Sequence, residues 1–333
     1  MLPPYHPGMD EEREPAIPSP GGRIVVAAAD VGAHSTHLLV AATSGHRLEP
    51  LLDISDILAL GAVVDREGFL PAAARAGLVA TLGRYADAAR ELGASEIAFI
   101  GTEPMRIAAD AARIVAEVEG ATGVPLHVLG HEEEGRLSLL GVTAGAPLEV
   151  ELLVADIGGG STELVFAGPA GPVRTHGLSL GAARLTELLV SHDPPTPGEL
   201  DTLRREADRV LAAAPDGAPR IGVLVGGTGS NLAKVAGPDA PRRALTGDVL
   251  AALVAAVCDA PAEEVAARLG IRSTRARVLP AGAAIVAALA ARYRLPGLLV
   301  RDEGIREGAV LALARAGRGW RDRLDRLAHG WNQ

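Results

Sequence analysis

The sequence predicts an α/β protein built from two similar lobes that face each other. Three observations lead there. Short apolar runs of strand length alternate with apolar patterns at helical spacing along most of the chain. The plan strand, Asp-x-Gly turn, strand occurs twice, at Asp30-Val31-Gly32 and again at Asp156-Ile157-Gly158. The length, 333 residues at 48% hydrophobic, suffices for two domains of ordinary size with a large core. Aromatics make up only 2%, so that core is built from Ala, Val, Leu and Ile.

Residues 1–22 are rich in Pro, Glu and Gly without apolar periodicity and read as a disordered leader. The N-terminal lobe is taken as 23–146. Its first strand, Arg23 to Ala29, enters the turn Asp30 to Thr36 and returns as His37 to Ala42. His34 in that turn either contacts an anion or sits idle, and His37 faces solvent or is satisfied locally. Asp53 to Leu70 reads as further strands with a hairpin. Pro71 to Leu92 is a helix with Leu78, Leu82, Tyr85 and Ala89 at helical spacing and Pro71 in its first turn. A strand, Ile97 to Ile100, runs into Gly101-Thr102-Glu103-Pro104-Met105-Arg106. One helix is expected from there to about Thr122. Arg106 stands at its start, where a cation is unfavourable unless an anion is near. It is therefore a phosphate-ligand candidate, against the plainer reading of a solvated arginine. After a strand over Pro125 to Leu129, His131-Glu132-Glu133-Glu134-Gly135-Arg136-Leu137 opens a helix through Val142. Carboxylates at a helix start are favoured by the dipole alone. Crowded carboxylates also raise one another's pKa, so one of these glutamates suits a general base near neutral pH. Spacing does not select which. The Gly- and Pro-containing connection Ala144 to Glu149 marks the boundary with a C-terminal lobe, 147–333.

That lobe is organised by the stretch Val154 to Phe166. Apolar runs at Leu152 to Val154 and Leu164 to Phe166 form a hairpin. Between them stand Asp156, three consecutive glycines and two hydroxyls. Gly158, Gly159 and Gly160 let a ligand approach the backbone, and their N–H groups can converge on an anion. Asp156 can hold Mg²⁺ or a water that meets the phosphate. An ordinary hairpin turn is the alternative; the matching turn at Asp30 tips the balance. Val173 to Leu178 is a strand, Gly181 to Val190 a helix with Arg184 in its first turns, Asp193 to Gly198 a loop, and Glu199 to Ala213 an amphipathic helix. Ile221 to Val225 is a buried strand running into Gly226-Gly227-Thr228-Gly229-Ser230-Asn231. This turn opens a helix, so Gly227 and Thr228 belong to a further phosphate seat. It is not a P-loop, since no Gly-Lys-Ser/Thr occurs, and it does not fit the spaced dinucleotide fingerprint. Three helical patterns fill 246–291. Arg272, Arg275 and Arg277 form a solvated face or the basic rim of a polyanion site. Leu298 to Val300 is a last strand, and a helix from Gly304 to Ala314 is the last clear pattern.

Net charge is -9 and stacking aromatics are scarce, which argues against nucleic-acid binding. Lys234 is the only lysine. The single cysteine, Cys258, excludes an intramolecular disulfide and a cysteine metal cluster, and reads as a small core residue. No apolar run reads as a membrane span, and no signal-peptide h-region opens the chain. The expected location is the cytoplasm.

These pieces together resemble the exopolyphosphatase / guanosine pentaphosphate phosphatase (Ppx/GppA) family, within the actin, sugar-kinase and heat-shock ATPase superfamily. The resemblance rests on Asp30-Val31-Gly32 with Ser35, Thr102 with Arg106, Glu133 to Leu137, Asp156 to Leu164, Gly177 to Leu185, Gly226 to Leu232 and Pro280-Ala281-Gly282-Ala283. In order they span roughly 23 to 312. It implies two ribonuclease-H-like lobes with a cleft between them. Asp30, Gly32 and Ser35 would form one phosphate loop; Gly158, Gly159, Gly160 and Ser161 the other, with Asp156 at a Mg²⁺. Arg106 would grip the phosphate chain, and Glu134 matches the family's catalytic base. The implied reaction is attack of water on a terminal phosphorus of polyphosphate or pppGpp, with release of orthophosphate. The expected assembly is a homodimer. This chain differs at Ala33-His34, where the family has Ser-Asn, and at Gly101-Thr102-Glu103-Pro104, where it has Ala-Thr-Ser. It also ends after two lobes, from which better activity on short chains is expected. Two other readings stand beside this one: an ATP-dependent kinase or ATPase of the same fold, and a non-catalytic sensor of a phosphorylated alarmone.

Overall fold

The computed structural model describes residues 22–169, 173–237 and 244–329. The expected leader lies outside these residues except for Gly22. The fold centres on two sheets of mixed pairing. In the first, β1 (Ile24–Val31), β2 (Ser35–Thr43), β3 (Leu48–Ile57), β4 (Glu96–Gly101) and β5 (Leu126–Val128) lie in the order β3-β2-β1-β4-β5. The second holds β6 (Leu152–Ile157), β7 (Thr162–Ala167), β8 (Arg174–Leu178), β9 (Ile221–Val225), β10 (Ala244–Thr246) and β11 (Gly297–Val300), in the order β10-β11-β9-β6-β7-β8. Leaving out the edge strand β10, the second order mirrors the first. In each sheet the leading strand pairs antiparallel with its successor and parallel with a later strand. β1 and β6 are covered on both faces. That is why they read as near-continuous apolar runs rather than alternating ones.

The helices cover these sheets. In the first lobe α1 (Leu60–Glu67), α2 (Ala72–Glu91), α3 (Glu103–Ile107) and α4 (Ala111–Thr122) lie in chain order. α5 (His131–Thr143) joins the lobes: Leu137 and Leu140 pack in a core with the first sheet, while Leu139 packs on Val154 and Val165 of the second. The second lobe carries α6 (Ala182–Leu189), α7 (Pro197–Leu211), α8 (Gly226–Ala236), α9 (Gly247–Val257), α10 (Ala262–Leu269) and α11 (Ser273–Arg292). α11 has the length and mean hydropathy, 1.3, of a membrane span, contrary to the reading of the apolar runs above. It is apolar because it is the central core helix of this lobe, with Ala281, Ile285 and Leu289 fully buried. α12 (Ile305–Ala316) follows β11 but packs on the first sheet. Ala309, Val310 and Leu313 share a core with Val26, Ala28, Leu39 and Ala98. α13 (Leu324–Ala328) adds Leu324 and Leu327 to the same core. Lobe membership thus does not follow chain order after 304.

Several elements differ from expectation. Asp53 to Leu70 holds the end of β3 and the helix α1, not a hairpin; Ala59 and Gly68, both left-handed, bracket α1. Its eight residues are too short to display a helical period. The helix foreseen up to Thr122 is split into α3 and α4, because Ala108 is extended and Asp110 turns its carboxylate to the Leu70 N–H and Arg75. α7 begins inside the expected loop, at Pro197, where Thr196 and Glu199 form a reciprocal cap. β10 was not foreseen; three residues leave too little pattern.

Candidate active site

The turn between β1 and β2 and the turn between β6 and β7 face a common cavity of about 530 Å³. Each turn closes on itself: the Gly32 N–H donates to Ser35 O at 3.1 Å, and the Gly158 N–H to Ser161 O at 2.9 Å. A helix N-terminus then draws the turn's carbonyls away. Ala59 and Gly61, at the start of α1, donate to His34 O (2.9 Å) and Ala33 O (2.8 Å). Ala182 and Arg184, at the start of α6, donate to Gly158 O (3.1 Å) and Gly159 O (2.9 Å). With their carbonyls held back, the turns offer N–H groups to the cavity, as an anion requires. Close approach explains a glycine in each helix start: a Cβ on Gly61 would overlap Ala33, and one on Gly181 would overlap Gly159.

Asp30, Gly32, Ser35, Asp156, Gly158, Gly159, Gly160, Ser161, Gly227, Thr228 and Glu134 all line this cavity. Gly227 and Thr228 come from the first turn of α8, which begins on Gly226 at φ 83°. Both aspartates are part-buried on the cavity wall. Burial, then the charge of Asp156, push Asp30 up to about 7 against a partial offset from Arg306. Asp156 is also raised by burial, and its Oδ2 accepts from Ser138 Oγ at 2.8 Å. Asp30 Oδ1 is buried without a hydrogen-bond partner. An orphaned carboxylate oxygen beside a second part-buried aspartate fits a hard cation. Among the described residues, no three His, Cys, Asp or Glu side chains are grouped to hold one unaided. That donor set suits Mg²⁺, which keeps water and phosphate oxygens as ligands.

The structure separates the three glutamates of α5. Glu133 caps the helix, accepting from the Gly130 N–H at 2.9 Å, and is gripped by Arg321 from beyond α12. Glu134 faces the cavity and is buried. Burial and the neighbouring Glu163 raise its pKa well above the usual carboxylate value, outweighing Arg106. Glu132 pairs with Arg136 at 3.0 Å. Ser138, one turn after Glu134, is the partner of Asp156, so a single helix face positions both groups.

Arg106 sits in the last turn of α3, where a cation is favoured. The helix-start argument for it is therefore corrected. Its guanidinium stands behind the cavity wall. It bonds Glu134 and the Leu129 carbonyl (2.9 Å) and lies 3.9 Å from Glu163. His37 does not face solvent: it lines the cavity and bonds Ser35 Oγ at 2.6 Å. Burial and the charges of Arg306 and Arg275 hold it down at about 4. His34 Nε2 is buried without a partner, and its ring is likewise held neutral by burial and by Arg275. Glu103 is buried against Gly160 and pairs with Arg184 of the other lobe at 2.9 Å.

Sequence reasoning missed Glu163, the cross-strand neighbour of Asp156. It is 3% exposed, and burial with Asp156 raises it to about 8. A lone carboxylate inside the apolar run Thr162–Ala167 was the available signal. Arg306, which reaches Asp53 at 2.6 Å, and Arg275 also line the cavity.

Two ribonuclease-H-like lobes, with two phosphate-type turns opposed across a cleft, define an α/β protein of the actin, sugar-kinase and heat-shock ATPase superfamily. The Ppx/GppA phosphatase family model matches residues 39–316, and the chain belongs to that family. Exopolyphosphatase 1 of Mycobacterium leprae (strain TN) is 31% identical over 296 residues, 85% of this chain and 87% of the relative. Exopolyphosphatase 1 of Mycobacterium tuberculosis (strain ATCC 25618 / H37Rv) is 30% identical over 301 residues, 85% of this chain and 86% of that protein. The crystal structure of the Aquifex aeolicus family member superposes with a TM-score of 0.75 at 28% identity, covering 87% of this chain and 97% of that one. An exopolyphosphatase from Cytophaga hutchinsonii shares the fold at TM-score 0.77 and 20% identity, over 88% of this chain and 98% of that one.

Proposed function

We propose that the protein is a Mg²⁺-dependent phosphohydrolase that releases terminal orthophosphate from short polyphosphate chains or from pppGpp. The observation that carries this reading is Glu134: a buried carboxylate with a raised pKa, in one cavity with both glycine turns and the Asp30–Asp156 pair. A carboxylate so tuned accepts a proton from water near neutral pH. The free N–H groups of the second turn bind the phosphoryl oxygens, and Arg106 orients Glu134 from behind. Asp30 and Asp156 would hold Mg²⁺, which supplies neutralisation of the phosphate charge. Family membership and the curated exopolyphosphatase relatives support the hydrolase reading over a kinase or a sensor. Phosphate release from short polyphosphate, long polyphosphate, pppGpp and ATP, each with Mg²⁺ and with EDTA, tests it. Release from a phosphoanhydride only with Mg²⁺ is expected. No release from any of the four would remove the hydrolase reading. A homodimer in the cytoplasm is part of the same proposal, checked by light scattering and fractionation.

A further inference from the structure

His131 is the first residue of α5, three positions before Glu134, so the two side chains share one helix face. Its ring lies on Gly177 of β8, where any Cβ would overlap it. Nδ1 stands 2.9 Å from Glu163 Oε1 and 3.2 Å from Arg106 Nη2. Arg106 in turn bonds Glu134. A neutral ring nitrogen either donates or accepts; as an acceptor, Nδ1 takes an N–H of the guanidinium that holds the base, with the Glu163 carboxyl beside it. Burial and the adjacent Arg106 lower the ring's pKa, which favours the uncharged ring that can accept from a guanidinium.

We propose that His131 is a positioning residue for the hydrolysis: Nδ1 accepts from Arg106 Nη2, and this tie fixes the guanidinium that aims Glu134 at its water. The proposal rests on the phosphohydrolase reading above. It explains why β8 carries a glycine opposite the helix start. It also explains how a long, rotatable arginine is held from three sides: by Leu129 O, Glu134 and the His131 ring.

The test uses the full chain, short polyphosphate as substrate, and thermal melts to confirm folding. His131→Ala should lower kcat about tenfold to a hundredfold with KM little changed, as losing an orienting partner does. His131→Asn, whose amide reaches the place of Nδ1, should recover most of kcat. A His131→Ala protein with wild-type kcat overturns the proposal. So does a loss confined to KM, or an Asn variant that is folded but as slow as the Ala variant. A second readout needs no activity: the ¹⁵N shift of the His131 ring should move on Arg106→Gln. An unmoved shift overturns the tie. A moved shift in a protein that hydrolyses nothing would uphold the tie and sink the phosphohydrolase reading alone.

Discussion

In the first lobe, the turn after β1 is closed by Gly32 and Ser35 and pinned from behind by α1. In the second, Gly158 and Ser161 close the turn after β6 and α6 pins it. Each begins on a part-buried aspartate with a raised pKa. The backbone plan is the same twice; the decoration is not. The first turn carries Ala33 and His34, and its aspartate keeps an unpartnered oxygen. Its counterpart is bare glycine, and its aspartate is held by Ser138. Around the second turn gather Glu134, Glu163 and Arg106. Under the proposed hydrolysis, the difference would divide the work on one substrate: the bare turn, next to Glu134, would take the phosphoryl group under attack, and the covered turn would contribute Asp30 to the cation site.

The sharpest way to break this comparison is Glu134→Gln. It should reduce turnover by ~10²–10⁴-fold while leaving substrate binding nearly intact, read as kcat beside an equilibrium binding measurement. Wild-type turnover in this variant, with Glu133→Gln inactive, would move the base to the outer face of α5 and dissolve the division of labour. Next in size is the contrast of Gly159→Val with Ala33→Gly. A Cβ at Gly159 meets neighbours only at 3.5 Å or more, so the fold should survive. The added methyls would stand where phosphate oxygens approach, costing about a hundredfold in kcat/KM. Ala33→Gly should leave activity almost unchanged. Equal losses in both would erase the distinction between the turns.

Arg106→Ala should lower kcat/KM roughly tenfold to a hundredfold, the scale of one charge-assisted contact. Arg106 lowers the pKa of Glu134, so its removal raises that pKa. The acid limb of the pH–rate profile should shift upward. Arg106→Lys should recover part of the loss, since an ammonium lacks the guanidinium fork. An unshifted profile would detach Arg106 from the base.

The smallest effect is on stability. Asp30 has a folded pKa of about 7 against an ordinary 3.8, so between these values the folded protein holds a proton that the unfolded chain releases. Stability from this group therefore falls as pH rises from about 4 to about 7. Asp30→Asn should raise the metal-free melting temperature at pH 8 by a few degrees and change it little at pH 4. An equal change at both pH values would refute the buried, protonated state of Asp30.

Much of this site was legible in the sequence because glycine turns depend on local residue type. Asp30, Asp156 and the three glycines announce themselves by what neighbours them in the chain. The pieces that stayed hidden act across space. α1 pins the first turn, yet Leu60–Glu67 is too short to show a period. Glu163 lies in a strand that reads as apolar, and its importance comes from facing Asp156. Spacing left Glu133 and Glu134 open and the resemblance alone chose Glu134; that Arg321 arrives from 188 residues away to claim Glu133 is visible only in the fold. Arg106 was singled out for a helix start it does not occupy; its partners, not its helix position, give it a role.

The return of α12 to the first sheet has a consequence for biosynthesis. Val26, Ala28, Leu39 and Ala98 share the core that Ala309, Val310 and Leu313 complete. Between Val128 and Ile305 lie about 180 residues, roughly ten to thirty seconds of translation. Throughout that interval the apolar face of the nascent first lobe has Leu137 and Leu140 of α5 beside it but not the cover of α12 and α13. A chain cut at the lobe boundary would lack the part of this core that α12 and α13 supply. The first lobe therefore completes its core only when the last helices emerge.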